Sequence, residues 1–254
     1  SGETAPAAAA GADAPAAHAP AAASTRDGAG RLAAYQKALL GLAAGGYGGE
    51  CNNIEGPTPK DGVTVSPAGA ASAKGWSADL VGEQARMSLA RTVAAGAAPT
   101  GSFAASGADK PWQLIVNSGS GGSAMFGDGA SAAQCRNVAA AAALAARPLY
   151  PAVAQFFVPA GASMQCADGG ALRTLAIKPG PSGVAFGERG FAFDSTATQE
   201  TLAVEPREGS LQYGSAYADG SHVELTVDAA GKLSVATYTL KQGVAMICSV
   251  AAKD

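Results

Sequence analysis

Few side chains in this 254-residue chain could do chemistry. Of its two histidines, His18 lies in an Ala/Pro-rich segment, and His222 follows a predicted hairpin turn, where a solvent-facing strand position is expected. Ser120 stands in a Ser/Gly-rich stretch without the G-x-S-x-G spacing of a nucleophile elbow, so the pattern predicts a turn. A serine nucleophile needs a base within hydrogen-bond reach, and His222 is the one histidine of the predicted folded region.

Acidic residues gather in one stretch, as Glu188, Asp194, Glu200, Glu205 and Glu208. Two paired carboxylates could hydrolyse a glycoside, but acids on predicted strands and turns usually form a solvated face. The cysteines have neither CxxC spacing nor nearby histidines, which argues against a zinc site. We therefore predict no catalytic residue, no metal site, no cofactor and no enzymatic activity.

Cysteine usage predicts two disulfides and an oxidising, extracytoplasmic location. Four cysteines allow three pairings. Cys51 and Cys135 are 84 positions apart, while Cys166 and Cys248 are 82 apart, and this near equality favours those two pairs. Each disulfide would close a long loop, which restricts the unfolded chain strongly.

Other landmarks recur with the cysteines. Tyr35 lies 16 positions before Cys51, and Tyr150 lies 16 before Cys166. Further matches join three pairs of segments, namely Gly75-Trp76 with Gly190-Phe191, Gly101-Ser102-Phe103 with Gly209-Ser210-Leu211, and Trp112–Val116 with Val223–Val227. The pattern predicts an α+β fold of two tandem copies, 29–136 and 137–254, each a helix plus an antiparallel sheet with one disulfide.

The elements that must position these residues can be outlined. An apolar stripe from Leu32 to Leu42 predicts a helix that ends at Gly45-Gly46, with Tyr35 in the core. The Ala-rich stretch 132–146 predicts a second helix, starting near Cys135. Asp219-Gly220 predicts a hairpin turn in the second copy.

The rest of the chain restricts location and partners. Residues 1–28 are Ala/Pro-rich and predict a disordered tether, and no apolar run is long enough for a transmembrane segment. Ser1-Gly2-Glu3 resembles the start of a bacterial lipoprotein after its lipidated cysteine, which implies a lipid anchor upstream of Ser1. A net charge of −3 argues against nucleic acid as a partner.

The strand patterns before the last cysteine of each copy carry a resemblance. Pro111-Trp112, a Ser/Gly-rich turn and Met125-Phe126 lead to Cys135, and 225–227 and 233–238 lead to Cys248. Both resemble the C-terminal part of type IVb pilin globular heads, although the apolar N-terminal helix that builds a pilus is absent. The resemblance implies a pilin-like head or a pilus-associated adhesin or lipoprotein, outside the class of polymerising pilins.

Trp76 and Trp112 are the candidate binding residues, because indoles anchor partners, although core packing against the sheet is the favoured role. We predict a non-enzymatic extracytoplasmic binding or structural protein, in the periplasm, on the outer-membrane surface or secreted, whose partner is a protein or cell surface. The alternative is a secreted inhibitor or small-ligand carrier that uses the cleft between the two repeats.

Overall fold

The computed structural model describes residues 28–53, 62–73, 75–129, 132–194 and 197–250, and side chains throughout these ranges except at 52 and 53. Two α-helices, α1 (Gly28–Ala43) and α2 (Tyr150–Phe157), accompany extensive antiparallel sheet, so the predicted α+β class is confirmed. Helix α1 matches the apolar stripe, and Tyr35, Leu39 and Leu40 are buried on it. The predicted tether lies outside the described residues.

Nineteen strands occur in chain order within these ranges. They are β1 (Gly45–Tyr47), β2 (Glu50–Asn53), β3 (Val63–Val65), β4 (Ala70–Ala73), β5 (Trp76–Asp79), β6 (Arg86–Thr92), β7 (Thr100–Ser106), β8 (Gln113–Asn117), β9 (Ser123–Gly127), β10 (Ala132–Arg136), β11 (Ala162–Asp168), β12 (Ala171–Gly180), β13 (Gly183–Phe186), β14 (Arg189–Ala192), β15 (Ala197–Glu205), β16 (Ser210–Tyr217), β17 (His222–Val227), β18 (Leu233–Thr239) and β19 (Ala245–Ser249).

The strands form a small four-stranded sheet, β1-β3-β4-β5, and a large fifteen-stranded sheet. The order in the large sheet is β14-β13-β12-β11-β19-β18-β17-β16-β15-β6-β7-β8-β9-β10-β2. We call β2 with β6–β10 the first half and β11 with β15–β19 the second half. In each half the first strand pairs with the last, and the others form a meander. Strands β6 and β15 join the halves by antiparallel pairing.

Each half is closed by one disulfide across neighbouring strands. Cys51 on β2 lies directly opposite Cys135 on β10, and Cys166 on β11 lies directly opposite Cys248 on β19. Both pairs are bonded, so the predicted pairing is confirmed. Two such disulfides are typical of proteins from an oxidising environment.

Directly opposed residues form one unbroken row across the two halves, which we call the central row. From β2 to β11 it contains Cys51, Cys135, Ala124, Val116, Phe103, Leu89, Leu202, Tyr213, Leu225, Ala236, Cys248 and Cys166. All are buried except Cys51, which is partly exposed. Read inward from either end, the row has cysteine, cysteine, alanine, an aliphatic residue, an aromatic ring and leucine. The Leu89–Leu202 pair therefore marks a local pseudo-two-fold axis.

Helix α1 starts over the second half, contacts β6 of the first half and ends against the small sheet. Near its start, the buried Arg31 donates to Phe156 O at 3.3 Å, and Tyr35 Oη donates to Asp228 O at 3.2 Å. Near its end, Leu40 lies against Gly69, between β3 and β4. The helix therefore ties the two halves together.

The helical segment before the second half crosses in the opposite direction. It begins with a 3₁₀ helix, Ala139–Ala145, which packs on β6 and β7 of the first half, where Arg91 Nε donates to Ala145 O at 3.0 Å. It continues as α2, whose N-terminus binds Glu200 of the second half. Both segments lie on the face of the large sheet that carries the central row.

The helix predicted for 132–146 is wrong. Residues Ala132–Arg136 form β10, because Cys135 must lie beside both Cys51 and Ala124, and these pairings override the helix propensity of alanine. The rest of the Ala-rich stretch forms the 3₁₀ helix, which has no side-chain cap and ends shortly before Pro148. In the described ranges, no single helix is long and apolar enough to cross a membrane.

Candidate binding surface

The large sheet has a second face, opposite the helices, which we call the open face. Side chains alternate between the two faces of a strand, so the residues flanking the central row point to this face. On the four central strands they are Ser102, Ala104, Ser88, Ala90, Thr201, Ala203, Gln212 and Gly214, and all except Gln212 are small. Thr201 is exposed and the others are partly exposed, so the middle of this face is in contact with solvent.

The larger groove on the open face lies in the second half and has a volume of about 320 Å³. Its lining includes Gln199, Thr201, Gly214, His222 and Glu224, from β15, β16 and β17. Gly214 forms its floor, because a Cβ added there would lie 2.8 Å from Thr201 Oγ1. A smaller space of about 100 Å³ continues from it past Thr201 towards Gln212.

A second groove of about 230 Å³ lies over β6, β7 and β8 and reaches β15, and its lining includes Arg86, Ser106, Gln113 and Glu205. Arg86 Nε lies 3.0 Å from a Glu205 carboxylate oxygen, so the charges at this end are paired. Ala104 lies on the groove floor, and by the central row its position corresponds to that of Gly214. The grooves therefore lie on opposite sides of the pseudo-two-fold axis.

The lining favours hydrogen bonding to an extended ligand. The larger groove presents an amide, a hydroxyl, an imidazole and the exposed carboxylate of Glu224 beside a floor of glycine and alanine. Large apolar side chains are exposed elsewhere on the same face, at Met125, Leu172, Val235 and Ile247. These four residues lie on strands β9, β12, β18 and β19, outside the linings of the grooves.

The predicted binding residues Trp76 and Trp112 lie between the two sheets. Their ring centroids are 5.1 Å apart, and the Trp76 ring is 4.1 Å from that of Phe126. Trp112 is 3% exposed, and among the described residues its Nε1 has no hydrogen-bond partner. The two indoles therefore hold the small sheet against β8 and β9, and a binding role for them stays a prediction.

The other candidates for chemistry lie far apart in the fold. Ser120 is exposed in the turn between β8 and β9, whereas His222 is exposed on β17 and lines the larger groove. Within the described part of the chain, no three His, Cys, Asp or Glu side chains are grouped as a metal site would need.

The prediction of a solvated acidic face is wrong for Glu200, which is 2% exposed. Its carboxylate accepts hydrogen bonds from Leu149 N at 3.1 Å, Tyr150 N at 3.3 Å and Tyr213 Oη at 2.8 Å. Arg91 Nη1 lies 3.8 Å away. Glu200 therefore closes the N-terminus of α2, where two backbone donors would otherwise be unsatisfied.

Burial has a further effect on the tyrosines around Glu200. Burial, followed by the nearby Glu200 carboxylate, raises the pKa of Tyr213, so its hydroxyl stays protonated and donates to Glu200. Burial also raises the pKa of Tyr150 to about 12, and Tyr150 Oη donates to Gly180 O at 2.6 Å. These groups fix helix α2 on the sheet.

Sequence reasoning missed the grooves, because the residues that form them are small or neutral. The available signal is that polar or small residues occupy every second position of β15, at Gln199, Thr201 and Ala203. On the neighbouring strand β16, Gly214 and Ala216 do the same. Comparison with known proteins found no matching protein family, no matching curated sequence and no matching solved structure.

Proposed function

We propose that this protein is a non-enzymatic, extracytoplasmic binding protein whose ligand surface is the open face. The observation that carries the proposal is the middle of the fifteen-stranded sheet, which no described element covers on this face, with a polar groove on each side of the pseudo-two-fold axis. The helices and the small sheet pack on the other face and hold this surface rigid. Two disulfides suit such a protein to an oxidising environment.

We also propose that the chain arose by duplication of one α+β unit. Three observations support this, namely the equal strand order of the halves, the palindromic central row and the opposite crossings of the two helical segments. Each half has a helix, an antiparallel sheet and a disulfide to its last strand. This is the arrangement that the resemblance to pilin-like heads implies, and it favours a pilus-associated or surface-anchored adhesin.

The direct test adds bulk to the open face. Thr201 lines both spaces of the second-half groove and is exposed, so Thr201→Arg should block ligand while the melting temperature stays within about 2 °C. Thr174→Arg is the matched control, because Thr174 is exposed on the same face but on the outlying strand β12.

Surface plasmon resonance against immobilised cell-surface polysaccharides and extracellular matrix proteins measures the effect. We expect saturable binding to a panel member, at least tenfold weaker in Thr201→Arg and unchanged in Thr174→Arg. A panel without a ligand, or equal binding by both variants, contradicts the proposal. Turnover of an ester, peptide or glycoside substrate by the purified protein would contradict its non-enzymatic part.

A small-ligand carrier is the second candidate, because a 320 Å³ groove lies at the lower end of the range for small-molecule sites. The halves pair edge to edge, so such a ligand would occupy the groove on the open face. Binding of soluble mono- or disaccharides that resists competition by the intact polymer would favour this candidate.

A further inference from the structure

The larger groove on the open face runs along β16, between side chains of β15 and β17. Two rows of directly opposed residues form its walls and floor. They are Gln199–Ala216–His222 and Thr201–Gly214–Glu224. Because the middle residue of each row is small, the groove has a floor of alanine and glycine between two polar walls.

A hydroxyl and a carboxylate approach each other above the glycine of this floor. A Cβ added to Gly214 would lie 2.8 Å from Thr201 Oγ1 and 3.8 Å from Glu224 Cγ. Glycine leaves this space open, and the side chains of Thr201 and Glu224 are exposed to solvent. A group that enters the space therefore meets hydrogen-bond acceptors from both walls.

The carboxylate of Glu224 has no cation beside it among the described residues. Its neighbours across the sheet are Gly214 on β16 and Thr237 on β18, both uncharged. In the part of the chain that the structure describes, no ion pair or hydrogen bond engages this side chain, and the same holds for the side chains of Gln199 and Thr201. The charge of Glu224 is therefore available to a cation from a ligand.

The first-half groove has the same plan and a different charge pattern. By the central row, Glu224 corresponds to Ile115 and Gln199 corresponds to Arg86. The charge of Arg86 is already paired with Glu205 at 3.0 Å. Of the two grooves, the second-half groove is therefore the one that presents an unpaired carboxylate.

We infer that the second-half groove binds the ammonium group of a lysine side chain from a protein ligand. An ammonium group has three N–H donors and no acceptor. The groove supplies three matching acceptors, namely the Glu224 carboxylate, the Thr201 hydroxyl and the Gln199 amide oxygen. The inference rests on the proposed function, because it names the ligand group that part of the open face recognises.

The lining favours this group over other ligand chemistries. A guanidinium group is typically held by stacking on an aromatic face together with bidentate pairing, and sugar rings commonly stack on aromatic faces too. The described residues that line the groove include no Phe, Tyr or Trp ring. An aliphatic stem, in contrast, fits a narrow floor of glycine and alanine.

NMR titration of the ¹⁵N-labelled protein tests the inference directly. The probe is Nα-acetyl-lysine amide, and Nα-acetyl-norleucine amide is the control that keeps the stem without the ammonium group. Near neutral pH and at constant ionic strength, the lysine probe should shift amide signals of β15, β16 and β17 with a Kd on the order of a few millimolar. The norleucine probe should leave these signals in place, and Nα-acetyl-arginine amide should bind at least threefold more weakly than the lysine probe.

A matched pair of variants locates the site. Glu224→Gln keeps the size of the side chain and removes its charge, so it should weaken binding of the lysine probe at least fivefold. Glu188→Gln makes the same change at an exposed carboxylate between β13 and β14 and should leave the Kd within twofold. Equal binding of the lysine probe and either analogue, or an equal loss in both variants, would overturn the inference.

A second measurement separates this inference from the proposed function. Acetylation removes the lysine charges of a protein ligand found in the binding panel, so its binding should fall at least tenfold. If the ligand is a polysaccharide, or if acetylation changes nothing while Thr201→Arg still blocks binding, the inference fails and the proposed function stands. If the panel contains no ligand, the proposed function fails and the probe titration alone decides the inference.

Discussion

The two halves of the large sheet share a strand order. They differ in the sheet that the three strands following β2 or β11 in the chain join, namely β3–β5 or β12–β14. In the second half, β12–β14 extend the sheet outward from β11 and return an aromatic ring, Phe191, to within 5.2 Å of Tyr238. In the first half, β3–β5 form a separate sheet with β1, and Trp76 packs on Phe126. Phe126 and Tyr238 occupy corresponding positions of the two halves, so the ring packs at the same place in each. The strands that carry the ring differ, because β3–β5 belong to the small sheet and β12–β14 to the large one.

Glycine explains the difference in route. Between β1 and β2 stand Gly48 and Gly49, and a Cβ at Gly49 would lie 2.4 Å from the Arg136 carbonyl oxygen. This break divides the segment into one strand for each sheet, so β1 pairs with β3. In the second half, Pro159 is in a 3₁₀ turn and β11 then runs unbroken, so β12 pairs along it. A two-glycine break thus separates the strand that joins the small sheet from the strand that joins the large sheet.

Removing a disulfide should have the largest effect. The loops span 84 and 82 positions, so chain entropy predicts a similar loss of about 4 kcal/mol from either half. Cys166 and Cys248 are fully buried whereas Cys51 is partly exposed, so Cys166→Ala/Cys248→Ala should cost about 1 kcal/mol more than Cys51→Ala/Cys135→Ala. Urea denaturation of both double variants measures this, and the reverse order would show that the halves are not packed as described.

Substitutions at the β6–β15 pair can make the side chains on the two sides of the pseudo-two-fold axis more alike. By the central row, Glu200 corresponds to Met87 and Arg91 corresponds to Val204. Glu200→Met should cost about 3 kcal/mol, because it leaves the Arg91 charge without its carboxylate partner and uncaps α2.

The double variant Arg91→Val/Glu200→Met should be more stable than Glu200→Met alone, because no buried charge is left unpaired. A double-mutant cycle in urea measures the coupling. Additive losses would mean that the 3.8 Å contact between these side chains contributes nothing.

The aromatic contacts of the two excursions should differ by a smaller amount. Trp76→Ala removes a ring 4.1 Å from Phe126 and 5.1 Å from Trp112, and should cost about 2 kcal/mol. The nearest ring to Phe191 is Tyr238 at 5.2 Å, so Phe191→Ala should cost about 1 kcal/mol. Thermal unfolding compares the two. If Trp76→Ala loses ligand binding without losing stability, the predicted binding role of Trp76 would be supported instead.

The smallest expected effect is on stability at alkaline pH, and it depends on Tyr150 in α2. Unfolded tyrosine titrates near pH 10, and the pKa of Tyr150 in the fold is raised to about 12. Its contribution is therefore complete below pH 10 and is lost as the pH rises from 10 to 12. Tyr150→Phe should cost about 1 kcal/mol at pH 7, through the lost bond to Gly180, and should flatten the decline above pH 10. An unchanged slope would contradict the burial of this hydroxyl.

Helix α1, the disulfide pairing and the hairpin at Asp219-Gly220 could be predicted from sequence, because apolar spacing, cysteine spacing and turn residues report on local or covalent constraints. The match of Phe103 with Leu211 is two positions out, since the central row places Phe103 in correspondence with Tyr213. A shift of two keeps the same face of a strand, so alternation alone could not detect it.

The candidate surface was beyond sequence reasoning for another reason. Gly214, Ala104 and Thr201 are compatible with any part of a sheet, and only the pairing of β6 with β15 brings their strands together. The burial of Glu200 was equally hidden, because it depends on α2 and Arg91, which come from distant parts of the chain. Tertiary partners decided both positions.

The cross-strand disulfides also determine how the molecule bears load. If a pulling force acts between Gly28 and Val250, it passes through the chain to Cys51, crosses to Cys135, continues to Cys166 and crosses to Cys248. The 84- and 82-position loops stay outside this path, so the sheet strands within them cannot be extended while the bonds are intact. The parts of the path that can lengthen are the chain from Gly28 to Cys51, which contains α1 and β1, the segment from Cys135 to Cys166, and the two residues after Cys248. The strands within each half would therefore stay paired on a stretched chain, while the β6–β15 pairing between the halves, which no disulfide protects, would bear the load.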